Sequence, residues 1–113
     1  MSNLRWEPAT TVASLRATGG IMGCEIDRFK VALYMVGDEV YATADMCTHG
    51  GARLSQGFLE DHFIECPLHQ GRFDIRTGAV AAPPCKRPVR IFPVRIDNHA
   101  ILVGIPVIPA DPA

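Results

Sequence analysis

Two short segments bring together the side chains best suited to metal chemistry: Cys47-Thr48-His49 and, with sixteen residues between, Cys66-Pro67-Leu68-His69. Each joins one thiol to one imidazole, as C-x-H and C-x-x-H. Thiolate sulfur and neutral imidazole nitrogen suit a transition metal. Two such bidentate claws accommodate either one tetrahedral ion or a two-iron cluster. A structural zinc ion takes Cys₂His₂ readily, so ligand identity alone leaves both readings open. An isolated Cys or His is usually buried filler or surface decoration, but two paired claws at this spacing are a metal-site pattern.

The flanking residues shift the balance. Gly50 and Gly51 follow the first claw and Gly71 follows the second. Glycines let backbone N–H groups approach a bulky anionic centre closely. Pro83-Pro84 supplies a third, stiff loop that can cap the same point. Three converging loops enclose more than a single zinc ion requires and favour a larger cluster.

The elements that must hold these loops read as strands. Trp6 to Val12 is a first short strand, followed by a connection over Ala13 to Gly20. Ile21 to Ile26 and Lys30 to Val36 come next, turning at Asp27-Arg28-Phe29. Val31, Leu33 and Met35 alternate with Ala32, Tyr34 and Val36, so both faces of this strand are expected to be buried. Gly37-Asp38 turns tightly into Glu39 to Ala44. Phe58 to Glu60 and His62 to Glu65 form a short hairpin entering the second claw, and Arg72 to Ile75 leaves it. Ala79 to Ala81 follows. Pro83-Pro84 cannot belong to a central strand. Arg90 to Ile96 and Ala100 to Ile105 close the fold as a hairpin across Asp97-Asn98-His99, and the tail over 106–113 reads as a loosely held arm. No internal repeat and no convincing amphipathic helix is visible. The expected fold is all-β, an antiparallel sandwich or small barrel, with the claws on loops at one end.

Bulk properties agree. The chain has 113 residues, nine prolines and ten glycines, enough length for one domain with its own core and a composition favouring turns over helices. We take residues 1–113 as a single domain whose cluster-binding part spans about 45–85. A net charge of −1 gives no footprint for nucleic acid. No apolar run reaches the roughly eighteen residues of a membrane span. Met1 to Glu7 has no apolar signal core, so the cytoplasm is the expected compartment. No P-loop, G-x-S-x-G or G-x-G-x-x-G is present, which leaves nucleotide, triad and flavin chemistry without support.

Cys47-Thr48-His49-Gly50-Gly51 with Cys66-Pro67-Leu68-His69-Gln70-Gly71 resembles the Rieske cluster-binding signature. Val40-Tyr41-Ala42-Thr43, Gly51-Ala52-Arg53-Leu54, Gly71-Arg72-Phe73-Asp74 and Arg76-Thr77-Gly78 extend the likeness to the small ferredoxins of bacterial aromatic ring-hydroxylating dioxygenases. The similarity runs from about Trp6 to Ile105. It implies a Rieske-like fold with a cluster-binding subdomain made by two ligand loops and a proline loop. It also implies one [2Fe–2S] cluster, with Cys47 and Cys66 on one iron and His49 and His69 on the other. Two ferric ions, two sulfides and two thiolates sum to zero charge, so accepting an electron is easier than in an all-cysteine cluster. High-potential Rieske proteins carry an additional cysteine in each loop. The matching positions here are Ala52 and Leu68, and Gln70 rather than serine precedes Gly71. These departures imply a lower-potential carrier.

The resemblance implies an electron carrier without a catalytic site. Its transient partners would be a flavin-dependent reductase and a terminal ring-hydroxylating oxygenase, and it would act as a monomer. A small Rieske subunit of an assimilatory nitrite reductase and a structural zinc-binding β-domain are the alternatives. Outside the claws, Cys24 reads as a buried small hydrophobe, Cys85 as an incidental thiol, and His62 and His99 as exposed. Arg53, Arg72, Lys86, Arg87 and Arg90, with Glu60, Asp61 and Asp74, are candidates for a charged rim around the cluster end. Phe58 and Phe73 are expected to support the cluster loops from the core.

Overall fold

The computed structural model describes residues 3–48, 51–68 and 70–107. In chain order the strands are β1 (Leu4–Thr11), β2 (Ile21–Ile26), β3 (Phe29–Val36), β4 (Glu39–Ala44), β5 (Phe58–Glu60), β6 (Phe63–Glu65), β7 (Arg72–Asp74), β8 (Val80–Ala82), β9 (Ile91–Phe92), β10 (Val94–Asp97) and β11 (Ala100–Pro106). They form three antiparallel sheets, ordered β1-β11-β10, β2-β3-β4-β9 and β5-β6-β7-β8.

The β2-β3-β4-β9 sheet lies between two apolar cores. Val31 and Leu33 of β3 point into a lower core with Leu15, Ile26, Ala42, Phe92, Ile101, Val103 and Ile105. Ala32 and Tyr34 of the same strand point into an upper core with Leu54, Ile64, Phe73, Ile75 and Val89. All four β3 residues are fully buried, as expected from a strand apolar on both faces. Tyr34 meets its polar requirement inside this core, its hydroxyl lying 2.8 Å from Thr43 Oγ1.

The turns follow from residues that tolerate a left-handed backbone. Gly37 opens the β3–β4 turn at φ +61°, and Asn98 and His99 both take positive φ in the two-residue β10–β11 turn. Pro8 sits on edge strand β1 beside a register shift, where its missing N–H costs no central ladder bond.

Beyond shifts of one or two residues at strand ends, such as Phe29 joining β3, three differences from the sequence reading stand out. Val12–Ala17 is a short helix, α1, where a connection was expected. Thr11 caps it by accepting the Ser14 N–H at 3.1 Å, and Leu15 alone is buried. One buried side chain in six residues leaves no helical periodicity to detect. The expected strand over Arg90 to Ile96 is split at Pro93: Phe92 pairs with Ala42, whereas Val94 pairs with Val103 in a different sheet. Proline cannot donate to a ladder, so the chain changes sheets there. Pro106, assigned to the arm, ends β11 opposite Leu4. Val107 N still donates to Asn3 O at 3.0 Å, and residues 108–113 lie outside the described residues.

Candidate metal centre

The first claw grows from the end of β4. Asp45 N donates to Lys30 O at 2.9 Å, which keeps the chain on the sheet for one more residue. The Asp45 carboxylate is fully buried. It accepts the Ser55 N–H at 2.7 Å and the Ser55 hydroxyl at 2.9 Å. Leu54 N donates to Asp45 O, and Cys47 N donates to Ala52 O at 2.9 Å, so the cysteine begins the tip of a closed hairpin-like loop. Gly23 leaves room for this closure, since a Cβ there would stand 2.6 Å from Ser55 Oγ.

The second claw is built the same way between β6 and β7. Cys66 N donates to Gly71 O at 2.7 Å, and Gln70 takes φ +62° to complete the turn. Phe73 and Ile64 anchor the base of this loop in the upper core.

A third loop closes against both. It leaves β8 through the cis Pro83-Pro84 bond and returns at Val89, whose N–H donates to Gly78 O. Thr48 Oγ1 donates to Arg87 O at 2.8 Å, and Arg87 Nη2 donates back to Thr48 O at 3.3 Å. Cys85 is buried, its Sγ 4.0 Å from Cys47 Sγ. It also fills the space beside Gly71, where a Cβ would come within 2.3 Å of Cys85 Sγ.

Cys47 and Cys66 therefore lie at two loop tips, 6% and 2% exposed, inside one apolar cluster. Burial, followed by the Cys47 thiol, pushes the Cys66 pKa up, against a backbone hydrogen bond from Leu68 that lowers it. Burial and the two neighbouring thiols raise that of Cys85 to about 11. Such sulfurs become thiolates when a cation replaces their protons. Buried paired thiols on loops that offer close backbone approach fit an iron–sulfur cluster. Among the described residues, no group of three or more His, Cys, Asp or Glu is arranged to hold a metal ion. The two expected imidazole ligands, His49 and His69, lie outside the described residues, as does Gly50.

Several expectations about neighbouring residues change. Cys85 is not incidental, because the proline loop folds it inward against the first claw. The adjacency of a cysteine to the loop already assigned as a cap was the available signal. Phe58 is 66% exposed rather than a core support, because Leu59 takes the inward position opposite Ile64. Phe73 is fully buried. His62 is half-buried, its ring edge-on to Tyr41 at 5.6 Å, whereas His99 is exposed. Arg90 lies over the Phe29 and Phe92 rings of the β2-β3-β4-β9 sheet. Arg72 pairs with Glu65 and Glu60 on the outer sheet, and Asp74 with Arg76. Arg53 and Arg87 remain beside the first claw. Cys24 is half-buried against the lower core, where burial raises its pKa.

Comparison with known proteins places this geometry. Residues 5–93 match the family described as the Rieske [2Fe–2S] domain. The ferredoxin component of the naphthalene 1,2-dioxygenase/salicylate 5-hydroxylase systems of Ralstonia sp. is 46% identical over 85 residues, 75% of this chain and 82% of that one. The ferredoxin of carbazole 1,9a-dioxygenase from Nocardioides aromaticivorans IC177 superposes with a TM-score of 0.82 at 40% identity, covering 87% of this chain and 95% of that one. A ferredoxin seen in complex with the oxygenase of carbazole 1,9a-dioxygenase gives 0.81 at 37% identity, covering 88% and 92%. A nitrite reductase small subunit from Mycobacterium tuberculosis shares the fold alone, at 22% identity. With a family match over most of its length and relatives at this identity, the chain belongs to the Rieske [2Fe–2S] domain family.

Proposed function

We propose that this protein is a one-electron carrier that passes electrons from a flavin-dependent reductase to the terminal oxygenase of an aromatic ring-hydroxylating dioxygenase. The observation that carries this reading is the buried Cys47–Cys66 pair at two loop tips, in a chain 46% identical to a dioxygenase ferredoxin component. Cys47 and Cys66 would hold one iron of the cluster, and His49 and His69 the other. When bound, the cluster supplies a site that takes up and releases one electron. The chain's own residues shape that site. Asp45 and Ser55 brace the first claw, Gly71 closes the second, and the 83–89 loop covers the cysteines.

Beside the claws the surface offers apolar side chains, with Leu68 at 51% and Met46 at 38% exposure. Arg53 and Arg87 lie close by. A small apolar tip with a charged rim suits brief redox encounters, in which charge sets approach and orientation. The protein has no catalytic site of its own, acts as a monomer and works in the cytoplasm. Among the described residues, no helix is long and apolar enough to cross a membrane. Residues 1–113 form one domain, with the cluster-binding part at about 45–85.

Low-temperature EPR of the purified protein, oxidised and then dithionite-reduced, tests the cofactor and its ligands. A red-brown protein whose reduced form gives a rhombic signal with average g below the free-electron value is expected. A colourless protein holding zinc and no iron or sulfide would overturn the reading. Partner choice is tested by stopped-flow mixing of the reduced protein with a ring-hydroxylating oxygenase. Rapid reoxidation is expected there, and none with a sirohaem nitrite reductase.

A further inference from the structure

We infer that Cys85 is a positioning residue of the metal centre, donating its S–H to the sulfur of Cys47. This rests on the ligand assignment proposed above. The two sulfurs lie 4.0 Å apart, within hydrogen-bonding reach for sulfur. Either thiol can donate in the metal-free chain. Once Cys47 has given up its proton to bind iron, Cys85 is the partner that still carries one.

The seat for Cys85 is specifically built. The cis Pro83-Pro84 bond precedes it, and the reciprocal Thr48–Arg87 hydrogen bonds fasten the loop after it to the first claw. On the other side, Gly71 of the second claw leaves the space that Sγ fills. The thiol thus touches the two claws at once and is 5% exposed, shielded from competing water.

Hydrogen bonds to a ligating sulfur draw electron density from it and stabilise the more negative, reduced state, which raises the potential. Cys85→Ala removes the donor, and Cys85→Ser keeps one. Midpoint potentials from film voltammetry and EPR g values of the reduced proteins, taken with the wild type in parallel, separate the cases. The expected result is a lower potential and altered g values for Cys85→Ala, with recovery toward wild type for Cys85→Ser. Cluster loading in Cys85→Ser but not in Cys85→Ala also supports the inference. Unchanged potentials in both variants, equal shifts in both, or equal loss of cluster in both would reduce Cys85 to packing and overturn it. A wild-type protein without the rhombic signal would instead sink the cluster assignment itself.

Discussion

The Asp45 carboxylate holds Ser55 through two hydrogen bonds, to its backbone N–H at 2.7 Å and its hydroxyl at 2.9 Å, across the loop that carries Cys47. The nine residues between them are thereby closed on a fully buried acceptor. Asp45→Ala should cost about 2–4 kcal/mol, since it removes charge-assisted bonds and leaves a part-buried N–H unmet. Asp45→Asn should cost less, because one acceptor oxygen survives. Urea denaturation of both variants measures this, and a wild-type midpoint for Asp45→Ala would refute the brace.

Gly71 and Cys85 should be energetically coupled. Gly71→Ala places a Cβ 2.3 Å from Cys85 Sγ and should destabilise by about 1–3 kcal/mol through overpacking. In the Gly71→Ala/Cys85→Ala double variant that sulfur is gone, and the remaining contacts stand at 3.4 Å. The double variant should therefore lose less than the sum of its parts, by about 1–2 kcal/mol. Strict additivity in a denaturant-based cycle would show that the two do not share the space.

Tyr34 and Thr43 predict an asymmetry. Thr43 Oγ1 donates to Ala44 O at 2.9 Å, so Tyr34 is the donor in their shared bond. Tyr34→Phe removes that donor and leaves Thr43 satisfied, at a cost of about 1 kcal/mol. Thr43→Val leaves the buried tyrosine hydroxyl without its acceptor and should cost about 2 kcal/mol or more. Thermal melting of the two variants decides the order, and equal losses would contradict the assigned direction.

Asp74 makes stability depend on acid. Hydrogen bonds from the Arg76 side chain, then from its backbone, hold the Asp74 carboxyl below its ordinary value of 3.8. The native state therefore binds this proton less readily than the unfolded chain does. The stabilisation is fully present above the unfolded value and disappears as pH falls through the lower native value. Relative to wild type, Asp74→Asn should be destabilised by a constant amount above about pH 5, with the gap closing in acid. A gap that stays constant down to the acid limit would exclude the linkage.

Local chemistry was legible from sequence where residues speak for themselves. The bounds of β2 and β4 coincide with those read from the sequence, where the Gly37-Asp38 turn set the start of β4. Cys47 and Cys66 do lie in one buried cluster. What escaped depends on partners distant in the chain. Leu15 is one apolar residue in a six-residue helix, and its burial comes from strands that arrive much later. Pro93 changes sheets because Gly104 and Ala42 wait on opposite sides of it. Phe58 looked like a core aromatic until the pairing of Leu59 with Ile64 set which face turned inward. Cys85 acquires its place only when Gly71 and Cys47 converge on it.

The double burial of β3 has a thermodynamic consequence. Val31 and Leu33 seal one core while Ala32 and Tyr34 seal the other, so neither half can open without exposing apolar surface belonging to its neighbour. The two cores are thus joined in one cooperative unit, without a separable metal-binding foldon. On heating, loss of the visible chromophore and loss of β-sheet dichroism should follow a single curve. The lifetime of the redox centre is then governed as much by a valine facing away from it as by the cysteines proposed to bind it.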